Sequence, residues 1–493
     1  MKLTDRNNII KNIDLILKGM NIINEEKAFN SDIYIMLEQM QGVAIEVGET
    51  LECELDSKHP IILLLEELCE LIYELNESLL INNSIDYILS KAYFKIEKVK
   101  QLIYTLPIHI KIAFFPYKIS MWDSLESIYE AALSKENCIC NVIPIPYYEK
   151  DNAKKLGQLK YEGLEFSKKV PITDYKKYQM ESEKPDLVFI HNPYDANNKV
   201  VEVDSNFYSR KLKESGAKLI YVPYYMAGYC LKFENMVSCV TTGGVNSDYI
   251  VLQNDNLKEA YAFFGYNKDK LLVTGSPKLD YIVNKVNTEK KSNIEWNNKF
   301  KNKKVILLNS SIHTFLSNKC WLDELEELIK SILFHNELGL IWRPHPLLYT
   351  TLLAMRPESK DKFNRILSLF ESSGNGVIDE SEDIKLSFTY SSAMISDYSS
   401  LVLQYTFTNK PVYLLKGSIK NRDYIVFCDY FYNYFKEDGI NLNQFLDMVC
   451  NDTDLLREDR VTFSHKSVVN TDGSCGEKTL EAILIREKAY QIG

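Results

Sequence analysis

The chain has 493 residues, too many for one hydrophobic core, so two or three domains are expected. Hydrophobic residues make up 45% and charged residues 26% of it, the balance of a folded protein rather than of a disordered one. The formal net charge of -10 excludes broad electrostatic binding to nucleic acid, although a pocket for a phosphorylated ligand needs only a few cations.

Residues 1–105 read as helical. Apolar positions recur at three- and four-residue spacing, and Pro60 is the one proline before Pro107. The spacing predicts helices over 8–20, 31–47, 60–80 and 84–102. The second and third are acidic, which suits a bundle or an oligomerisation arm and not a helix lying on a membrane. The most apolar run, IILLLEELCELIYEL from Ile61, is interrupted by glutamates on a helical period, and the N-terminus lacks an unbroken apolar stretch. The ten cysteines show neither a zinc-type spacing nor a secretory disulfide framework. Together these features predict a cytoplasmic location, and they assign no metal and no cofactor.

The texture changes at Ile108. IHIKIAFFPY, CNVIPIPYY, DLVFIHNPYD from Asp186 and AKLIYVPYY from Ala217 are apolar runs ending in polar or aromatic loops. DYIVLQNDNLKEAYAFFG and KLLVTGSPKLD complete this half. Strands alternating with helices predict a parallel, doubly wound sheet whose functional loops leave the carboxyl ends of the strands. A lysine-rich stretch over 287–304 is the expected connection to a second series, KVILLNSS, LGLIWRPHP, AMISDYSS and KPVYLLK. The predicted fold class is therefore α/β. Two Rossmann-like domains face a cleft, as in type B glycosyltransferases, behind an α-helical N-terminal region. The expected divisions are 1–105, 106–290 (acceptor side) and 291–493 (donor side).

Two constellations carry chemistry. Arg343-Pro344-His345-Pro346 follows the strand LGLIW. Arginine pairs bidentately with phosphate, histidine exchanges a proton near neutral pH, and the prolines stiffen the loop. The bland alternative is a turn in which Arg343 pairs with a carboxylate. Ser396-Asp397-Tyr398-Ser399-Ser400 lies between a strand and a helical run. Serines there can cap the helix or meet a diphosphate, and one of each is expected. Weaker signals are Asn309-Ser310-Ser311, which ends a strand and would line a donor pocket, and Asp452-Thr453-Asp454. The latter mimics a metal-binding DxD but reads better as a helix cap.

RPHP followed by SDYSS and a strand such as KPVYLL resembles the CDP-glycerol glycerophosphotransferases of bacterial wall-polymer synthesis. Gly275-Ser276-Pro277-Lys278 with Asp280 is similar to that family's G-x-P-[RK]-x-D turn, and Asn470 with Asp472-Gly473 adds to the likeness. The resemblance spans roughly residues 108 to 485. It implies a catalytic role for His345 and donor binding by Arg343, Ser399, Ser400 and Asp397, with Gly275 and Lys278 on the donor side. It also implies a CDP-glycerol or related CDP-alditol donor, a polyol-phosphate or glycan acceptor, and release of CMP. Peripheral contact with the inner face of the cell membrane and homo-oligomerisation are compatible with it. Relatives carry a W-H-G-T-type segment with a second histidine, where this chain reads Tyr221-Val222-Pro223-Tyr224-Tyr225. His191, in HNPYD, and Asp123, in Trp122-Asp123-Ser124, are the candidates for the missing base. A nucleotide-sugar glycosyltransferase or epimerase of the same fold is the second reading, and a catalytically weak donor-binding or scaffold subunit the third.

Overall fold

The chain begins with four helices: α1 (Leu3–Glu26), α2 (Ser31–Glu52), α3 (Pro60–Leu80) and α4 (Asp86–Thr105). The computed structural model describes all residues except 28–29, 82, 151–154, 167–169, 199, 228–232, 346–347, 382, 398, 416–427, 436–437 and 489–493. Pro60 opens α3 at a position whose N–H has no helical partner, so its missing donor costs nothing. Asn30 caps α2 by accepting from the Ile33 N–H. The apolar stripes close on a core of their own, with Ile13, Met20, Leu37, Ala44, Leu68, Leu75, Ile96 and Val99 buried together. At Gly19 a Cβ would meet the Met40 Sδ at 2.3 Å, so a larger residue there would require the Met40 side chain to move.

The first turn of α1 ties the bundle to the α/β part of the chain. The Thr4 backbone N–H and hydroxyl both donate to Asp186, at 2.7 and 2.8 Å. The buried Arg6 guanidinium donates to the Glu487 carbonyl at 3.1 Å and to the Lys488 carbonyl at 2.5 Å.

Among the described residues, nine strands come next: β1 (Ile110–Phe115), β2 (Cys138–Val142), β3 (Tyr147–Lys150), β4 (Leu156–Lys160), β5 (Leu187–Ile190), β6 (Val201–Val203), β7 (Lys218–Tyr221), β8 (Tyr249–Leu252) and β9 (Leu271–Val273). Six make a parallel sheet in the order β2-β1-β5-β7-β8-β9, and β4-β3-β6 form a small antiparallel sheet. The second series is β10 (Lys304–Ser310), β11 (Leu338–Pro344), β12 (Gly376–Ile378), β13 (Ala393–Ser396), β14 (Val412–Leu414) and β15 (Tyr432–Asn433). These form a second parallel sheet, β12-β11-β10-β13-β14-β15. Both sheets are covered on each face, which is why their strands are apolar throughout and do not alternate. This is the expected architecture, two doubly wound sheets behind a helical region.

Two details depart from the expected divisions. The closing helix Cys475–Arg486 buries Leu480, Ile483 and Leu484 in the core of the first sheet, beside Ile110 and Phe114. The segment 475–486 thus packs with the first half, although chain order put it in the second. The lysine-rich connection is also partly ordered into a helix, Ile294–Lys299, because Trp296 and Phe300 pack with Val305 and Ile341 of the second sheet.

In each sheet the strand order reverses once, between β1 and β5 in the first and between β10 and β13 in the second. Loops leaving the carboxyl ends of such a strand pair splay apart and open a crevice, the usual ligand position in doubly wound sheets. Among the described residues, no helix is long and apolar enough to cross a membrane.

Candidate active site

The second sheet's crevice gathers the two strongest motifs. Register pairs Asn309 of β10 with Arg343 of β11 on one side and with Ser396 of β13 on the other. One row at the carboxyl edge therefore carries the starts of all three loops. Asn309 bridges them, its Nδ2 donating to the Ser396 Oγ at 2.8 Å and to the Ser399 Oγ at 3.2 Å.

Asp397 is buried. Its carboxylate accepts from the Ser311 N–H at 3.1 and 3.2 Å, from the Ser311 hydroxyl at 2.6 Å, and from the Thr314 hydroxyl. It fixes the loop that Ser311 opens, as an orienting group does. His345 is half-buried directly after β11, within electrostatic reach of Asp397. Burial pushes its pKa below the ordinary imidazole value and Asp397 pulls partly the other way, so the ring is neutral at pH 7. Ser399 stands at the N-cap of the helix Ser400–Thr406 with extended backbone, yet its side chain makes no capping hydrogen bond. Ser400 is exposed. Neither serine is therefore spent as a side-chain cap, where one of the two was expected to be.

Four other expected donor residues have structural engagements. The Arg343 guanidinium donates to Asp379 at 2.6 Å and to the Ser381 carbonyl, the carboxylate pairing that stood as its bland alternative. It thereby holds Asp379, Ser381 and Asp383 at the rim of the crevice. Ser310 is buried and accepts from the Trp342 indole N–H at 3.2 Å. Gly275 has φ +98°, and a Cβ there would meet the Val469 carbonyl at 2.5 Å, so this turn docks against the segment before the last helix. Lys278 pairs with Asp123. Asp280 of the same turn accepts from the Cys475 and Gly476 N–H groups at 3.0 and 2.7 Å, which makes G-S-P-K-L-D the anchor of the returning helix.

The first sheet's crevice separates the two base candidates. His191 is fully buried. Its Nε2 accepts from the Tyr117 N–H at 3.1 Å, and its Nδ1 faces the Met121 carbonyl at 3.1 Å and the Ser124 hydroxyl at 3.2 Å. Only a neutral ring protonated at Nδ1 satisfies both backbone contacts, and burial pushes its pKa down to about 3. With both nitrogens engaged, the His191 ring serves as a buried, neutral anchor of the loop after β1. Asp123 differs. Its Oδ2 pairs with Lys278, while its Oδ1 is buried without a hydrogen-bond partner among the described residues. Burial drives the carboxyl pKa up, Lys278 and the Ser124 backbone N–H pull it down, and Asp383 pushes it up again; the net shift is upward. A carboxylate raised from its ordinary range and short of one partner is what proton abstraction requires.

The two crevices are connected. The Tyr281 hydroxyl, one turn beyond Lys278, lies 2.8 and 2.9 Å from the two Asp383 carboxylate oxygens, in the loop that Arg343 holds. Sequence reading missed Tyr281, Asp379 and Asp383, because no motif marks a contact between loops of different sheets. The DxD residues are structural: Asp452 pairs with Lys304 and Asp454 with Arg460.

Residues 241–484 match the family model of CDP-glycerol:poly(glycerophosphate) glycerophosphotransferase. The chain is of this glycerophosphotransferase type. No curated protein matches it in sequence. Among solved structures it is similar to a protein assigned as UDP-N-acetylglucosamine 2-epimerase from Listeria monocytogenes. Identity is 15% and TM-score 0.52, over 78% of this chain and 98% of that one. S. aureus MnaA, solved with UDP, is similar at 15% identity and TM-score 0.50, over 76% and 96%. A variant of the wall teichoic acid polymerase TagF is similar at 16% identity and TM-score 0.47, over 86% and 98%. The first two likenesses establish the fold alone, and the third carries no further argument. The matched residues of the glycerophosphotransferase-type chain include Arg343, His345, Asp397, Ser399 and Ser400 but not Asp123, which lies in the first half.

Proposed function

We propose that this chain transfers an alditol-phosphate group, glycerol phosphate or a close relative, from a CDP-alditol to a hydroxyl of a cell-wall or surface polymer, releasing CMP. One observation carries the reading. The motif residues His345, Ser399 and Ser400 cluster at the second sheet's crevice, and the first half supplies a buried carboxylate with one oxygen unpaired.

The acceptor oxygen forms its bond to the phosphorus bearing the alditol as the bond from that phosphorus to the bridging oxygen breaks. The electron pair leaves on CMP, and the acceptor proton passes to Asp123. Phosphoryl transfer of this kind rests on positioning and charge stabilisation. Ser399 and Ser400 donate to the diphosphate, and the neutral His345 ring donates its N–H to a phosphate oxygen. Asp397 orients the Ser311 loop, and Arg343 sets the loop 379–383. The polyol-phosphate or glycan acceptor enters from the first sheet's side, at the cytoplasmic face of the membrane where such a polymer is extended. No resident cofactor enters this scheme.

Nucleotide release from CDP-glycerol, CDP-ribitol and a panel of UDP-sugars tests the proposal. CMP appearing only with a CDP-alditol and an acceptor supports it. Turnover of a UDP-sugar favours the nucleotide-sugar reading of the same fold, and tight CDP-glycerol binding without turnover favours a donor-binding subunit.

A further inference from the structure

The second sheet has an opposite, amino-terminal edge, far from the chemistry, where three side chains of different kinds converge. His335 and Glu337 lie in the turn that enters β11, and Cys450 ends the helix Leu442–Cys450. An imidazole nitrogen, a carboxylate oxygen and the thiol sulfur lie within 4.8 Å of one another. A zinc-class ion about 2.0–2.3 Å from each donor would set tetrahedral ligands roughly 3.3–3.8 Å apart, within reach of small side-chain rotations.

The apolar core brings these ligands together without any metal. Val449 beside Cys450, and Leu338 beside Glu337, are buried in one cluster with Leu333 and Phe445. A site assembled by packing is preorganised, and a metal binding there need not also order the chain. The local charge suits a cation. Cys450 sits at a helix carboxyl end, where the dipole is negative, and the Glu337, Asp447 and Asp452 carboxylates are within electrostatic reach of its sulfur. The nearby Lys304 ammonium is engaged by Asp452 at 2.6 Å. The His335 Nδ1 accepts only a long hydrogen bond, 3.3 Å, from the Glu337 N–H, which a metal at that nitrogen would displace.

We infer that His335, Glu337 and Cys450 form a binding site for a divalent zinc-class metal ion. A mixed sulfur, nitrogen and oxygen set selects a borderline ion over magnesium or calcium, which take oxygen ligands. Water completes the coordination, because Glu337 is exposed. The ion clamps the turn that enters β11 to the helix packed beside it. Its role is structural, since the carboxyl end of β11, with Arg343 and His345, lies about 20 Å away along the strand. No sequence motif announces it: the ligands come from two segments remote in sequence, and the cysteine stands alone in its own.

The full-length protein, stripped with a chelator, is titrated with Zn2+ by calorimetry and with Co2+ by absorbance. One Zn2+ per chain is expected, together with an intense near-ultraviolet thiolate-to-cobalt band. Cys450→Ser should abolish that band and weaken Zn2+ binding at least tenfold, and His335→Ala should weaken it similarly. Glu337→Gln, at an exposed position where misfolding is not a concern, should weaken it several-fold. A Co2+ spectrum without the thiolate band would overturn the assignment. So would Zn2+ affinity that is unchanged in Cys450→Ser and Glu337→Gln, because the ion would then sit elsewhere.

Discussion

Replacing Asp123 with asparagine should do two separable things. The Asp123 and Lys278 side chains are 14% and 10% exposed, so the substitution strands a mostly buried ammonium. Breaking a buried pair from one side costs about 3–5 kcal/mol, and the partial exposure puts this one near the lower figure. Loss of a general base independently lowers turnover by about 10²–10⁴-fold. The double variant Asp123→Asn, Lys278→Met removes the stranded charge and should recover most of the stability while remaining inactive. Lys278→Met alone keeps the base but removes the cation that lowers its pKa. Because the base must be deprotonated, the acid limb of its kcat/KM profile should move to higher pH. Denaturation midpoints, paired with CMP release across pH, read both effects. A double variant whose turnover returns to within about tenfold of the parent would show that Asp123 serves only the ion pair.

His191→Gln preserves an acceptor for the Tyr117 N–H and should retain near-normal turnover, since the ring anchors the loop after β1; a loss above 10²-fold would reverse that assignment. The unfolded chain protonates this histidine near pH 6.5 and the folded chain only near pH 3, so its contribution is complete above pH 6.5 and is lost as pH falls toward 3. At about 1.4 kcal/mol per unit, the loss reaches roughly 5 kcal/mol, and acid-unfolding curves of His191→Gln should be shallower across that window. His345→Ala should keep the fold and lose about 10²–10⁴-fold in turnover, with near-parental activity counting against its role. Replacing Ser399 and Ser400 together with alanine removes two charge-assisted donors and should weaken CDP-glycerol binding by roughly 10²- to 10⁴-fold and CMP binding less, measured by calorimetry on folded protein. Equal losses for both ligands would put these serines at the nucleoside.

Strands and helices were legible because burial writes itself into local pattern. The apolar runs of β1, β5, β10 and β11 arise from coverage on both faces, and the bundle from a helical period. Motif position was legible for the same reason, since RPHP and SDYSS straddle the carboxyl ends of β11 and β13. Side-chain partnership was not. Arg343 looks identical in sequence whether it grips a phosphate or Asp379, and His191 gave no sign that both ring nitrogens meet the loop after β1. Helix Cys475–Arg486 was assigned by chain order to the half it leaves, because its anchor on Asp280 joins segments remote in sequence.

The central claim is the identity of the bond made and the bond broken. Incubating the purified chain with CDP-glycerol and an oligomeric glycerol-phosphate acceptor, with mass spectrometry and phosphorus NMR of the products, tests it most directly. The acceptor should gain whole glycerol-phosphate units joined by a new phosphodiester, with one CMP formed per unit added, and Asp123→Asn should form neither. Release of CDP, or an acceptor extended by a sugar from a UDP-linked donor, would contradict the account.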